Sequence, residues 1–110
     1  MSTRYRVIWT ESAVRDFESI LSYVRTHGGL LNARRLNEKL DRAISALDTS
    51  PARCRTVPEL RSEGLTMYRE LIVRRYRIMF RVYSNEVVLL SVFDGRRDLA
   101  ELLLERVLGP

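Results

Sequence analysis

The fold is decided by the stretch Tyr-Arg-Glu-Leu-Ile-Val-Arg-Arg-Tyr-Arg-Ile-Met-Phe-Arg-Val-Tyr at residues 68–83. Its β-branched and aromatic residues favour strands, and Arg74-Arg75 divides it into two runs. A two-residue break is typical of a tight β-hairpin, and Ser84-Asn85 makes a second such break before the next run. The sequence therefore predicts three strands in an antiparallel meander: Met67–Val73, Tyr76–Tyr83 and Glu86–Phe93.

The two turns also predict a register, in which Val73 faces Tyr76 and Phe80 faces both Arg69 and Leu89. Successive side chains point to opposite faces of a sheet. One face is expected to pack on helices and to carry Leu71, Val73, Ile78, Phe80, Val82, Leu89 and Phe93. The other face is expected to carry Tyr68, Glu70, Ile72, Arg77, Met79, Arg81, Val88, Leu90 and Val92.

The second face mixes arginines with aliphatic side chains, so it is not a simple solvated surface. Apolar residues on a second face indicate that it too is covered. The sequence leaves two alternatives for what covers this face: a final helix that uses Leu99, Leu102 and Leu103, or a partner protein.

Before the meander, Tyr5–Trp9 alternates as a first strand, and Thr10 follows as a helix N-cap. Apolar residues at helical spacing predict one helix that ends at Gly28-Gly29 and a second from about Leu31 to Leu47, joined as a hairpin. Residues 52–66 are expected to be a polar connection, and a short helix from Asp98 to Val107 ends the chain. The predicted order is β-α-α-β-β-β-α, an α+β fold with an antiparallel sheet packed on the N-terminal helical hairpin.

Composition indicates a single globular domain over residues 1–110. The start has no signal-peptide pattern and no window is long enough to span a membrane, so a cytoplasmic location without membrane contact is expected. One cysteine, Cys54, and one histidine, His27, do not form a metal-ligand set, and no glycine-rich phosphate loop is present. Neither a metal nor a cofactor is expected.

The formal net charge is +5, and the basic residues comprise 18 Arg and one Lys. Arginine forms paired hydrogen bonds with phosphate or carboxylate, so this charge suits nucleic acid, a nucleic-acid enzyme or an acidic partner. A GC-rich genome is an equal explanation for the Arg/Lys ratio, but it does not explain the positive net charge.

The arginines are the main candidates for a functional site, because no Ser/His/Asp or Cys/His arrangement is present. They gather around the predicted hairpin: Arg61, Arg69, Arg74, Arg75, Arg77, Arg81, Arg96 and Arg97. Such a set is able to neutralise phosphates or to stabilise a charged transition state. A salt-bridged surface is the alternative interpretation.

An ordered series of segments resembles one known family, the RelE/ParE toxins of type II toxin–antitoxin systems, and most closely its ParE-like branch. The segments run from Val7-Ile8-Trp9-Thr10-Glu11-Ser12-Ala13 through Asn32-Ala33, Ser50-Pro51, Pro58-Glu59-Leu60-Arg61 and the hairpin at 68–82 to Val92-Phe93-Asp94-Gly95-Arg96-Arg97-Asp98-Leu99. The resemblance covers nearly the whole chain, and its specificity lies in the ordered set rather than in one motif.

The resemblance implies a growth-arresting toxin that is neutralised by a cognate antitoxin of ParD, Phd or RelB type in a hetero-oligomer. An extended or helical antitoxin segment would lie across the toxin. The residues expected to contact antitoxin or target are Arg69, Arg77, Met79, Arg81, Leu90, Arg96 and Arg97.

Two activities occur in the group that the chain resembles. RelE-like members cut mRNA on the ribosome, and here Arg61, Arg77 and Arg97 would be the matching basic residues. ParE-like members inhibit DNA gyrase without catalytic residues. Residues 99–110 contain no Tyr, His or Lys to act as a general acid or base, so gyrase inhibition is the preferred prediction. A non-toxic or degenerate partner-binding module is the third possibility.

Overall fold

The computed structural model describes residues 4–96 and 100–109. Within them, helices and strands follow the predicted α+β order, with four short additions: β2 and α3 in the connection that the sequence had predicted to be a loop, and 3-10 helices at Ala46–Asp48 and Pro51–Arg53. The elements are β1 (Arg6–Trp9), α1 (Glu11–Gly28), α2 (Leu30–Ser45), β2 (Arg55–Thr56), α3 (Pro58–Arg61), β3 (Tyr68–Val73), β4 (Tyr76–Tyr83), β5 (Glu86–Asp94) and α4 (Ala100–Leu108).

The five described strands form one sheet in the order β1-β5-β4-β3-β2. Strands β2 to β5 pair antiparallel with their neighbours, whereas β1 lies parallel to β5, with Arg6 opposite Glu86 and Trp9 opposite Leu89. The sheet is therefore mixed rather than antiparallel throughout. The helical hairpin between β1 and the meander is the kind of long crossover that places a strand parallel to its neighbour.

The predicted hairpin register is confirmed. Val73 pairs with Tyr76 across the first turn, and Phe80 pairs with Arg69 on one side and Leu89 on the other. The first residue of each turn, Arg74 or Ser84, has a φ of 54°. Both turns therefore use a left-handed residue, which is common in the tightest hairpins.

The face prediction was wrong at one point, the C-terminal half of β5. Phe80 pairs with Leu89 but Met79 pairs with Ser91, so Leu90 is an extra residue in a β-bulge. A bulge reverses the alternation beyond it. Val92 consequently joins the face that packs on the helical hairpin, and Phe93 turns to the opposite face.

The helical hairpin packs on one face of the sheet. Thr10 caps α1 as predicted: its Oγ1 accepts from the N–H of Ala13 at 3.2 Å and donates to the carbonyl of Leu89 at 2.8 Å. Gly29 joins the two helices with a φ of 91°, which favours glycine. The main core lies beneath and includes Ala13, Leu40, Ile44, Leu47, Ile78, Phe80, Val87 and Leu89. Each large side chain buried there contributes about 1.5–3 kcal/mol.

The second face is covered by α3 and α4. Their contact with the sheet forms a smaller core of Val57, Leu60, Tyr68, Met79, Phe93 and Leu103, with Leu102 packed against it. The final helix thus provides cover through Leu102 and Leu103, as expected, whereas Leu99 lies outside the described residues. None of the described helices combines the length and apolar character that a membrane crossing requires.

Candidate functional site

Arg77 lies at the centre of the second face, where it is held by two carboxylates. Its Nε donates to Glu70 at 2.7 Å, and its two terminal nitrogens donate to the two oxygens of Glu59 at 2.6 Å each. Only 12% of the Arg77 side chain is exposed. The guanidinium therefore already has the paired partners that a phosphate would otherwise provide.

The carboxylates come from different elements. Glu70 projects from β3 and is 2% exposed, and its second oxygen accepts from Nε of Arg55 at 2.6 Å. Glu59 is placed by α3, which Pro58 begins at a position where proline suits a helix start. The hydrogen bond from Arg77 holds the pKa of Glu59 below its ordinary value, against the opposing effect of burial. The hydrogen bonds to Glu59 raise the pKa of Arg77, burial opposes this rise, and the hydrogen bond to Glu70 adds to it, so that the net effect is a rise.

Gly95 allows the Arg77 side chain to take this path. A Cβ at Gly95 would stand 2.9 Å from Cδ of Arg77 and 3.0 Å from the carbonyl oxygen of Arg75. The N–H of Gly95 also donates to that carbonyl at 2.6 Å. A larger residue has no room here, because one neighbour is backbone and the other is a side chain fixed by ion pairs.

The other predicted arginines of the hairpin do not join Arg77. Arg69 points to the opposite face of the sheet and donates to the carbonyl of Cys54 at 2.6 Å. Arg81 shares the face of Arg77, but its guanidinium lies over the rings of Tyr68 and Tyr83, with its central carbon 5.7 Å and 4.5 Å from their centroids. The structure thus separates arginines that are close in sequence.

Neither Arg96 nor Arg61, both predicted to belong to the site, makes a contact with Arg77 or its two carboxylates among the described residues. Arg96 is exposed and forms a bidentate ion pair with Asp94, in which Nη2 lies 2.9 Å from one carboxylate oxygen and Nε lies 3.2 Å from the other. Arg61 is exposed at the end of α3, where it lines a shallow cleft of about 440 Å³. Arg97 lies outside the described residues.

The two apolar residues predicted to contact a partner have different environments. Met79 is 1% exposed in the smaller core, under the cover of α3 and α4, and its contact with a partner stays a prediction. Leu90, the bulged residue, packs at the edge of the same core and is partly exposed.

Two polar clusters escaped the sequence prediction. Glu70 lies diagonal to Arg77 in the register that the turns had already predicted, so the ion pair was detectable. No pattern in the sequence indicated the ion pair between Asp16 and Arg106, which are 90 residues apart. Nη1 of Arg106 lies 2.9 Å from Asp16 and 3.0 Å from Oγ of Ser91, which ties α4 to α1 and β5.

Among the described residues, the carboxyl groups that contact Arg77 are those of Glu59 and Glu70, and both accept hydrogen bonds from its guanidinium. His27 is on α1, behind the opposite face of the sheet, with Nδ1 2.9 Å from the Tyr23 carbonyl oxygen. Burial raises the pKa of the Cys54 thiol, with a smaller opposing effect of Arg69, so the reactive thiolate is disfavoured. The described residues contain no group of three His, Cys, Asp or Glu residues that could hold a metal ion.

Comparison with known proteins assigns the family. A family model described as the ParE toxin of the type II toxin–antitoxin system, parDE, matches residues 7–99. This match covers most of the chain, so the chain belongs to the ParE toxin family of type II toxin–antitoxin systems. A search of curated proteins finds no match.

Two solved structures share the fold. One is the chromosomal ParDE toxin–antitoxin system from P. aeruginosa, with a TM-score of 0.68 and 18% identity over 84% of this chain and 98% of that chain. The other is the toxin–antitoxin complex RelBE2 from Mycobacterium tuberculosis, with a TM-score of 0.59 and 22% identity over 84% of this chain and 92% of that chain.

Proposed function

We propose that this ParE-family toxin arrests growth in the cytoplasm by inhibiting DNA gyrase, and that a cognate antitoxin neutralises it. One observation carries the choice of target: Arg77, the central arginine of the sheet, is occupied by Glu59 and Glu70. Gyrase inhibition requires a binding surface, whereas RNA cleavage requires free groups at the reacting phosphate.

A nuclease would use Arg77 to stabilise charge that develops on a phosphate. Here the guanidinium would first have to leave two carboxylates, one of which is almost fully buried. Separating such a pair is strongly unfavourable. Two like-charged carboxylates beside the reaction centre would also repel the phosphate. Arg61 and Arg97 remain the other basic residues of the nuclease alternative, and Arg61 is exposed.

The antitoxin is proposed from the family and from the two neighbouring structures, which are described as a ParDE system and a RelBE2 complex. The residues proposed to contact antitoxin or target are those that remain accessible: Arg69, Arg81, Leu90 and Arg96. The positive charge of the three arginines would accelerate association with an acidic antitoxin segment in a hetero-oligomer.

The test compares both targets with the same purified toxin. In a supercoiling assay with gyrase and relaxed plasmid, the toxin should block supercoiling or stabilise cleaved DNA, and equimolar antitoxin should reverse the effect. In a translation assay on purified ribosomes, primer extension should show no new mRNA ends.

Toxin-dependent cuts at the ribosome, abolished by Arg61→Ala, would replace the proposal with the nuclease alternative. Induction of the toxin without antitoxin should halt growth. Unimpaired growth, together with inactivity in both assays, would instead assign a non-toxic partner-binding module.

A further inference from the structure

A cleft of about 530 Å³ lies between the helical hairpin and the turn that joins β3 to β4. Val24 and Leu36 form its apolar walls. Its polar lining consists of Asn32, Arg35, Lys39, Arg74, Arg75 and Tyr76. Four of these side chains are cationic and none is acidic, so the cleft has a strongly positive lining.

Three of the four cations have no partner within the described part of the chain: Arg35, Lys39 and Arg74 make no ion pair or side-chain hydrogen bond there. Some other arginines of the fold are paired with carboxylates, as Arg77 is with Glu59. Like charges that face one concavity repel each other, and the low-dielectric walls strengthen the field between them. An anion in the cleft would remove that repulsion.

The fold itself brings the charges together. Arg35 and Lys39 are four residues apart on α2, so they lie on one face of the helix. Arg74 projects from the turn, where its φ is 54°. Arg75 is held by Asp94 at 3.5 Å and by the hydroxyl of Tyr76 at 3.1 Å. The Arg75 side chain is thus held in place before any ligand binds.

An exposed aromatic pair lies next to a cleft residue in sequence. Tyr23 precedes the wall residue Val24, is 59% exposed and stacks on His27 with ring centroids 4.1 Å apart. The pKa of Arg96 is raised, chiefly by its hydrogen bonds with Asp94 and more weakly by the Tyr76 and Tyr23 side chains. Cationic grooves flanked by exposed aromatic side chains are typical of sites for single-stranded nucleic acid.

We propose that this cleft binds the phosphate backbone of a nucleic-acid strand, with Arg35, Lys39 and Arg74 as the phosphate contacts. Arginine and lysine are the principal phosphate-binding side chains of proteins. The cleft lies on the helical side of the sheet, away from the Arg77 network. The site does not depend on gyrase inhibition, because gyrase and the ribosome both hold nucleic acid.

An acidic peptide is the competing occupant. A peptide that folds on binding anchors itself through apolar side chains that fill pockets. The exposed leucines of the helical hairpin add nothing to the apolar walls of Val24 and Leu36: neither Leu30 nor Leu31 lines the cleft, and Leu30 lines a separate groove between the helices. The lining therefore favours a strand whose repeating feature is negative charge.

The test is fluorescence anisotropy of a labelled single-stranded DNA of about 12 nucleotides with the purified full chain at several salt concentrations. The double variant Arg35→Gln/Lys39→Gln removes two cleft cations. Arg34→Gln/Arg42→Gln removes the same charge from the same helix outside the cleft. We expect about tenfold weaker binding and a salt slope shallower by about 2 for the first variant, and little change for the second.

Tyr23→Ala separates stacking from charge. It should weaken binding by at least about fivefold while leaving the salt slope unchanged. All five side chains are exposed, so thermal melts should show that the variants remain folded.

Three results would overturn the proposal. Equal losses for the two double variants would show general charge attraction rather than a site. Displacement of the DNA by a poly-glutamate peptide at the same concentration of negative charge would assign the cleft to carboxylates. Equally effective displacement by inorganic pyrophosphate would reduce it to a simple anion site.

Discussion

The two faces of the sheet use the same residue type in opposite ways. On the face covered by α3 and α4, Arg77 is enclosed by Glu59 and Glu70 and forms part of the interior. Beyond the other face, Arg35 and Arg74 line an open cleft without a carboxylate partner among residues 4–96 and 100–109. The difference shows that the position of acidic residues, rather than the number of arginines, decides which arginines stabilise the fold and which remain available to a ligand.

Removing Arg77 is expected to have the largest effect, because the comparison assigns it a structural role. Arg77→Ala leaves Glu70 buried with Arg55 as its remaining cation, which should lower the free energy of unfolding by about 3–5 kcal/mol. Urea denaturation at pH 7 measures this loss. The matched control, Arg35→Ala in the cleft, should change stability by less than about 0.5 kcal/mol.

The double variant Arg77→Met/Glu70→Met sharpens the same prediction. Replacing a buried ion pair with apolar side chains of similar size is often neutral or stabilising, so this variant should recover most of the loss. Equal stability of Arg77→Ala and wild type would contradict the structural role.

Gly95→Ala tests the close packing behind Arg77. The added methyl group meets Cδ of Arg77 and the backbone oxygen of Arg75, so we expect about 1–3 kcal/mol of destabilisation from overpacking. Gly28→Ala is a suitable control, because its Cβ would make ordinary contacts of 3.5 Å or more. Thermal unfolding of both variants distinguishes a specific clash from a general intolerance of alanine.

Arg106→Met tests a second paired arginine, at the edge of the smaller core. It removes the hydrogen bonds to Asp16 and Ser91 while keeping an apolar stem beside Phe93. We expect a loss of about 1–2 kcal/mol, since Asp16 keeps some access to water whereas Ser91 is buried and loses a partner. Faster hydrogen exchange in α4 than in α1 should accompany it. Uniform acceleration across both helices would show that Arg106 does not act on α4 in particular.

The smallest effect concerns pH. The folded-state pKa of Glu59 lies below its unfolded value, chiefly because Arg77 donates hydrogen bonds to it. Its contribution is therefore complete above the unfolded pKa and is lost as pH falls through the folded pKa, in the range below about pH 4. Glu59→Gln should flatten the acid limb of a stability–pH curve, whereas Glu38→Gln on the exposed side of α2 should not. The effect is modest because Glu59 is partly exposed.

Much of the fold was predictable because it depends on local rules. The two-residue breaks at Arg74-Arg75 and Ser84-Asn85 determined both hairpins and their register, and Thr10 determined the start of α1. The bulge at Leu90 was not predictable from alternation, since an extra residue leaves the pattern of apolar residues almost unchanged. It exchanged the faces of Val92 and Phe93.

The candidate site was predicted less well. The sequence pointed to arginines around the hairpin but grouped Arg69 with Arg77, which the sheet places on opposite faces. It also selected Met79 as a contact, although α3 and α4 bury it. It did not single out Arg35 and Lys39, because their importance arises from a cleft shared with a turn about 35 residues later in the chain.

The sequence by itself determined the family, the order of elements and the hairpin register, because turn chemistry and side-chain periodicity act over a few residues. Only the tertiary structure decided which arginines are enclosed and which are free. That division depends on distances between residues far apart in sequence, such as the 2.6 Å between Arg77 and Glu59, and electrostatic interactions vary steeply with distance and burial.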